Sequence, residues 1–145
     1  MSVRSLFDVS TLLALFDPLH IGSSVTRQWW SENRDEGWAS CPLTQNGFLR
    51  IISQATYPNA VPLGTAIALL TAQIADSNHE FWPDEISLTD TERFDHAGML
   101  GPKQITDIYL LGLAVRNDAR FVTLDRSISI ISVRNATASN LVVLG

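Results

Sequence analysis

Ile105-Thr106-Asp107-Ile108-Tyr109-Leu110-Leu111-Gly112-Leu113-Ala114-Val115-Arg116-Asn117-Asp118-Ala119-Arg120-Phe121-Val122-Thr123-Leu124-Asp125 is the stretch on which the fold turns. Ile105 to Val115 reads as a helix with an apolar face. Asn117 to Arg120 is a turn, and Phe121 to Leu124 is a buried strand that stops at Asp125. From Asp107 the helix descends about 15 Å to Asn117 at about 1.5 Å per residue. The strand climbs back roughly 13–16 Å at about 3.3 Å per residue. The two distances nearly cancel, so Asp107 and Asp125 should stand at one level.

The same alternation runs outward from this unit. Val3 to Phe7 is a short apolar strand ending at Asp8, followed by a helix through Leu12–Phe16 that stops before Asp17-Pro18. A second helix covers Val25 to Trp30, a strand runs Trp38 to Cys41, and helices cover Leu43–Gln54 and Leu63–Ala75. His79 to Pro83 reads as a strand, Leu88 to Phe94 as a small helix, Gly98 to Pro102 as a loop and Leu141 to Leu144 as a last strand. Strands alternating with helices predict a parallel sheet covered on both faces. No repeat or low-complexity segment interrupts the pattern, and residues 1–145 are expected to form one domain.

In such a sheet Asp8 and Asp125 both lie at the carboxyl edge, where ligands bind. With Asp107 at the same level, three carboxylates crowd one place. Two of them 4 Å apart repel by about 4 kcal/mol at an effective dielectric near 20. A divalent cation or a retained proton relieves this. Oxygen donors alone favour Mg²⁺ or Mn²⁺ over zinc. Each acid also has a plainer reading, Asp107 as a favourable charge in a first helical turn and Asp8 as a helix cap.

Composition narrows the classes. A chain with 46% hydrophobic and 17% charged residues is not disordered. One Cys excludes an internal disulfide framework and a Cys-rich zinc site. No apolar run approaches the roughly 20 residues of a membrane span, and Met1-Ser2-Val3-Arg4-Ser5-Leu6-Phe7 reaches Asp8 before a signal-peptide core could form. A soluble, cytoplasmic protein is expected. The net charge of −5 argues against broad non-specific nucleic-acid binding but not against a nucleic-acid substrate met through bound cations.

Four stretches together resemble the PIN-domain ribonucleases, in particular the VapC-type toxins of bacterial toxin–antitoxin pairs. They are Phe7-Asp8-Val9-Ser10-Thr11-Leu12-Leu13-Ala14-Leu15 with Asp17-Pro18-Leu19-His20, then Cys41 to Arg50 (CPLTQNGFLR), Ile105 to Ala114 (ITDIYLLGLA), and Phe121 to Arg126 (FVTLDR). They follow the family's order from the N-terminus to Arg126. The resemblance implies a PIN-like three-layer α/β/α sandwich with a central parallel sheet. It implies a Mg²⁺- or Mn²⁺-dependent endoribonuclease, inhibited by a small cognate antitoxin and usually homodimeric. By position Asp8, Asp107 and Asp125 match the family's catalytic, metal-binding acids. The family's further Glu, on the helix after the second strand, has no counterpart in Thr44-Gln45-Asn46-Gly47. Gln45 takes its place and offers an uncharged amide oxygen to a metal or its water. Thr106 and Thr123 flank the acids and can orient them, and Arg126 beside Asp125 is the candidate phosphate contact. Arg50, Arg116 and Arg120 are further candidates for a phosphate-facing rim.

Other readings compete. The absent Glu leaves open a catalytically weakened PIN domain that only binds RNA or a partner. A phosphoryl-accepting receiver domain needs a Lys at a late strand end, but the single Lys103 precedes a helix. A haloacid-dehalogenase-type phosphatase needs Asp-x-Asp, and Asp8-Val9-Ser10 fails it. His79 and His96 lack metal-ligand spacing and read as structural or exposed. His20 matches a His common after the family's first helix and reads as a loop or capping residue, with an RNA contact as the alternative. Cys41 and most of the four Trp read as core, and Asp17, Asp35, Glu36 and Asp90 as caps and solvated charges.

Overall fold

The structure, a computed structural model, describes residues 3–76 and 78–145. Met1 and Ser2, the start of the N-terminal stretch, and Ser77 lie outside the described residues. Five strands, β1 (Ser5–Phe7), β2 (Trp38–Ser40), β3 (His79–Phe81), β4 (Arg120–Thr123) and β5 (Leu141–Val143), pair in the order β3-β2-β1-β4-β5. Every pairing is parallel. The helices are α1 (Val9–Phe16), α2 (Ser23–Asn33), α3 (Pro42–Ile52), α4 (Leu63–Ile74) and α5 (Ile105–Arg116).

Strand alternation splits the core in two. Leu6, Ala39 and Phe121 point to the face covered by α5 and the segments around Trp82, Phe94 and Val133. Phe7, Trp38 and Val122 point to the opposite face, under α1, α3 and α4. Trp29 and Trp30 of α2 meet Phe7 edge-on at 6.2 and 5.4 Å between ring centres. Trp38 and Trp82 are buried. Both faces of the sheet are therefore covered, which is the PIN-like α/β/α sandwich.

The strand order sets where a ligand can enter. The chain builds outward from β1 through β2 to β3, then returns to the other side of β1 to lay down β4 and β5. The reversal leaves a crevice above the carboxyl ends of β1 and β4, the place where open parallel sheets bind ligands. Phe7 is level with Val122, so Asp8 emerges beside Thr123.

One expected element differs. Leu88 to Phe94 is not a helix but a series of turns, with Phe94 bridged to Val133. Its polar side chains capture the backbone locally: Ser87 Oγ accepts from Thr89 N–H (3.2 Å) and Asp90 Oδ1 from Glu92 N–H (2.9 Å). Such bonds compete with helix formation. Packing then holds the segment down, for a Cβ on Gly112 would collide with the Phe94 ring.

Candidate active site

Asp8 ends β1 and starts α1. Its extended backbone and short carboxylate make it the cap of that helix, with Oδ1 accepting from Thr11 N–H at 2.8 Å. Thr11 Oγ1 donates to the same oxygen at 2.5 Å, and Thr123 Oγ1 donates to Oδ2 at 2.5 Å. Thr123 in turn accepts from Asp125 N–H at 3.0 Å. That amide can only donate, so the Thr123 hydroxyl proton is committed to Asp8. Thr11 and Thr123 are both fully buried. A carboxylate has about four lone-pair sites. Both sites of Oδ1 and one of Oδ2 are filled, so Asp8 has one left to offer, on Oδ2. The cap reading and the site reading of Asp8 are thus compatible.

Asp107 stands in the first turn of α5 and Asp125 follows β4, as the helix and strand lengths require. Asp8, Thr106, Asp107 and Asp125 line one cleft of about 320 Å³, together with Ser10 and Leu110. Asp125 Oδ1 accepts from the amide and the hydroxyl of Ser127 at 2.8 and 2.7 Å. No Arg or Lys pairs with any of the three aspartates among the described residues.

The charges interact strongly. Burial, then the charges of Asp8 and Asp125, push the Asp107 carboxyl up to about 6. Burial also raises Asp8, against the three hydrogen bonds from Thr11 and Thr123 that favour its charged form. Three uncompensated carboxylates in one cleft, with neither His nor Cys on its walls, make a hard-oxygen donor set that suits a divalent cation. Among the described residues no three acidic, His or Cys side chains stand within ligating distance of one point, so the side chains must converge to hold an ion.

The other candidates are placed elsewhere. Gln45 does not line the cleft: its amide nitrogen donates to Ser40 Oγ (2.9 Å), which also bonds His79 Nε2 (2.7 Å). α3 nevertheless crosses close to the site, since a Cβ on Gly47 would lie 2.5 Å from Val9, next to Asp8. Arg126 Nη2 donates to the Gly145 carbonyl at 2.5 Å. Arg120 is not on a rim around the aspartates. It begins β4, at the opposite end of the strand from Asp125, where it pairs with Glu36 (2.7 Å) and covers the Trp29 ring (4.8 Å). Arg116, at the far end of α5, pairs with Glu85 (3.3 Å). Asp17 is no solvated charge: it is 3% exposed and accepts from Tyr57 Oη (2.5 Å), Asn59 (2.7 Å) and Leu19 N–H (3.0 Å). Sequence reasoning passes over Thr11 and Ser10, although their placement one turn or less beyond Asp8 is an available signal.

No protein-family model matches the chain. Among curated proteins it is 44% identical to Ribonuclease VapC44 of Mycobacterium tuberculosis over 142 residues, covering 98% of this chain and all of the relative. It is 38% identical to Ribonuclease VapC38 of the same organism, over 86% of each chain. It is 32% identical to Ribonuclease VapC39, over 88% of this chain and 92% of the relative. Full-length identity of this order, on an all-parallel sheet with three aspartates at its topological switch point, makes this chain a member of the VapC family of PIN-domain ribonucleases.

Proposed function

We propose that the protein is the endoribonuclease toxin of a toxin–antitoxin pair, hydrolysing RNA phosphodiester bonds in the cleft of Asp8, Asp107 and Asp125 with Mg²⁺ or Mn²⁺. The observation that carries this is the gathering of three carboxylates, without any cationic partner among the described residues, in one cleft at the carboxyl edge. The family relationship supplies RNA as the substrate class.

Asp8, Asp107 and Asp125 are the residues that would hold the ion. A bound divalent ion would acidify a water and offset charge on the phosphate oxygens. The chain's own contribution is placement. Thr11 and Thr123 fix the Asp8 carboxylate, so its remaining lone pair points one way. Asp125 is the exposed acid, suited to receive a proton from the attacking water. Thr106 and Ser10 supply hydroxyls on the cleft wall that can bond a phosphate oxygen or a bound water. Gln45 buttresses the end of β2 through Ser40 in place of a fourth carboxylate. Arg126, when released from the Gly145 carbonyl, is the nearest cation in sequence to Asp125. A cognate antitoxin, a homodimer and a cytoplasmic location accompany this reading. Among the described residues no helix is long and apolar enough to cross a membrane.

Asp107→Asn tests the assignment. The purified variant should keep its fold and lose Mg²⁺-dependent cleavage of RNA. Cleavage equal to that of the parent protein removes Asp107 from the machinery.

A further inference from the structure

A second cavity, of about 330 Å³, lies against the other end of α5 and is walled by Arg93, Arg116, Arg134, Asp118, Asn135 and Asn140. Arg116 is nine residues beyond Asp107. That places it about 14 Å further along the helix and about 180° round it. The cavity is therefore separate from the aspartate cleft.

Its composition is unusual for an acidic protein. Three of the nine arginines meet there against a single wall carboxylate, Asp118. Backbone pairing forces two of them together: Arg134 N–H donates to the Arg93 carbonyl (2.8 Å) beside the Phe94–Val133 bridge. Arg93 and Arg116 each meet one carboxylate outside the wall, Asp90 at 3.6 Å and Glu85 at 3.3 Å. These pairs are about 40% exposed, and exposed pairs contribute at most about 1 kcal/mol. Arg134 has no carboxylate partner among the described residues. Only its Nε is engaged, on the Thr91 carbonyl at 2.7 Å, so both terminal nitrogens have no acceptor among the described residues. Asp118 and Asn135, at φ 52° and 67°, also line the cavity.

We infer that this cavity binds a phosphate monoester. A guanidinium fork matches phosphate oxygens two at a time. The two terminal nitrogens of Arg134, beside Arg93 and Arg116 whose own ion pairs are exposed and weak, offer such a fork to a dianion. The volume is at the lower limit of small-ligand pockets, roughly 300 Å³, so the ligand is a phosphate with little attached. The terminal phosphate of a free nucleotide and that of an RNA end share this chemistry. The inference does not depend on the nuclease reading.

Amide NMR of the full chain in metal-free buffer tests it, with inorganic phosphate, adenosine monophosphate, and a short 2′-O-methyl RNA with and without a 5′-phosphate as probes. Phosphate should give saturable shifts at Arg116, Asp118 and Asn135. Arg134→Gln should weaken binding by about tenfold or more, Arg134→Lys by less, and Arg27→Gln, on the exposed side of α2, not at all. If Arg134→Gln fails to fold, Arg134→Lys and Arg93→Gln carry the same test. Tighter binding of the mononucleotide than of phosphate identifies a free nucleotide as the source. Binding of the RNA only when it is 5′-phosphorylated identifies an RNA end. Absence of saturable shifts overturns the inference. So does equal weakening by Arg27→Gln and Arg134→Gln, or equal binding of the RNA with and without its terminal phosphate.

Discussion

Asp17 and Asp107 are both carboxylates drawn out of water at the ends of helices, and their surroundings drive them in opposite directions. Burial raises Asp17, but donors from Tyr57, Asn59 and Leu19 outweigh it and hold the carboxyl below its usual range. Asp107 has burial and two neighbouring carboxylates acting together and is pushed up to about 6. The first is a structural tie between the end of α1 and the loop before α4. The second is a destabilised charge awaiting compensation. Burial alone does not mark a functional acid. What sets Asp107 apart from Asp17 is burial next to like charge without donors or cations to match.

Substitutions at the two places should separate them. The largest effect is expected from Asp107→Asn, which should reduce RNA cleavage by more than the roughly 10–100-fold typical of losing a residue that only supports a metal ligand. The folded protein should survive it. Thr123→Val should fall within that roughly 10–100-fold range in cleavage and in Mn²⁺ affinity, and Thr123→Ser should restore most of both. Rescue by serine distinguishes the hydroxyl bond to Asp8 from simple packing. At the other place, Tyr57→Phe removes a donor to a buried charge. It should cost about 1–3 kcal/mol in denaturant unfolding while leaving cleavage per folded molecule unchanged.

The smallest effect is a pH dependence. In metal-free protein, folded Asp107 holds its proton up to about 6 while an unfolded Asp releases it near 3.8. The folded state therefore binds more protons across that window, and stability falls as pH rises from 3.8 to about 6. After allowance for solvent screening the loss is about 1–2 kcal/mol. Asp107→Asn should flatten it and Mg²⁺ should reverse it. Asp17 contributes with the opposite sign, its stabilisation being lost as pH falls into the carboxylate range. A stability profile of Asp107→Asn with the same slope as the parent would break the contrast.

Much of the functional edge is legible in the chain because it depends on local lengths. The helix–turn–strand unit from Ile105 to Asp125 returns to its own starting level, whatever packs around it. Strand ends at Asp8 and Asp125 follow from short apolar runs in a parallel sheet. What escapes is set by long-range contact. Asp17 meets Tyr57 and Asn59 across 40 and 42 residues, and nothing in Asp17-Pro18 announces them. The arginines of the second cavity lie in three separate segments, two of which are joined by the Phe94–Val133 bridge and the Arg134 N–H bond to the Arg93 carbonyl while the third is α5. The apolar ends of Leu88 to Phe94 suggest a helix, whereas the Ser, Thr and Asp side chains around them decide its turns.

The central claim is that residues 8, 107 and 125 act as one cation site. Titrating the protein with Mn²⁺ while following the amide signals of these three residues tests it most directly. Simultaneous, saturable broadening at all three, abolished by Asp107→Asn, is the result required. Broadening centred elsewhere, or unaltered by that substitution, contradicts it.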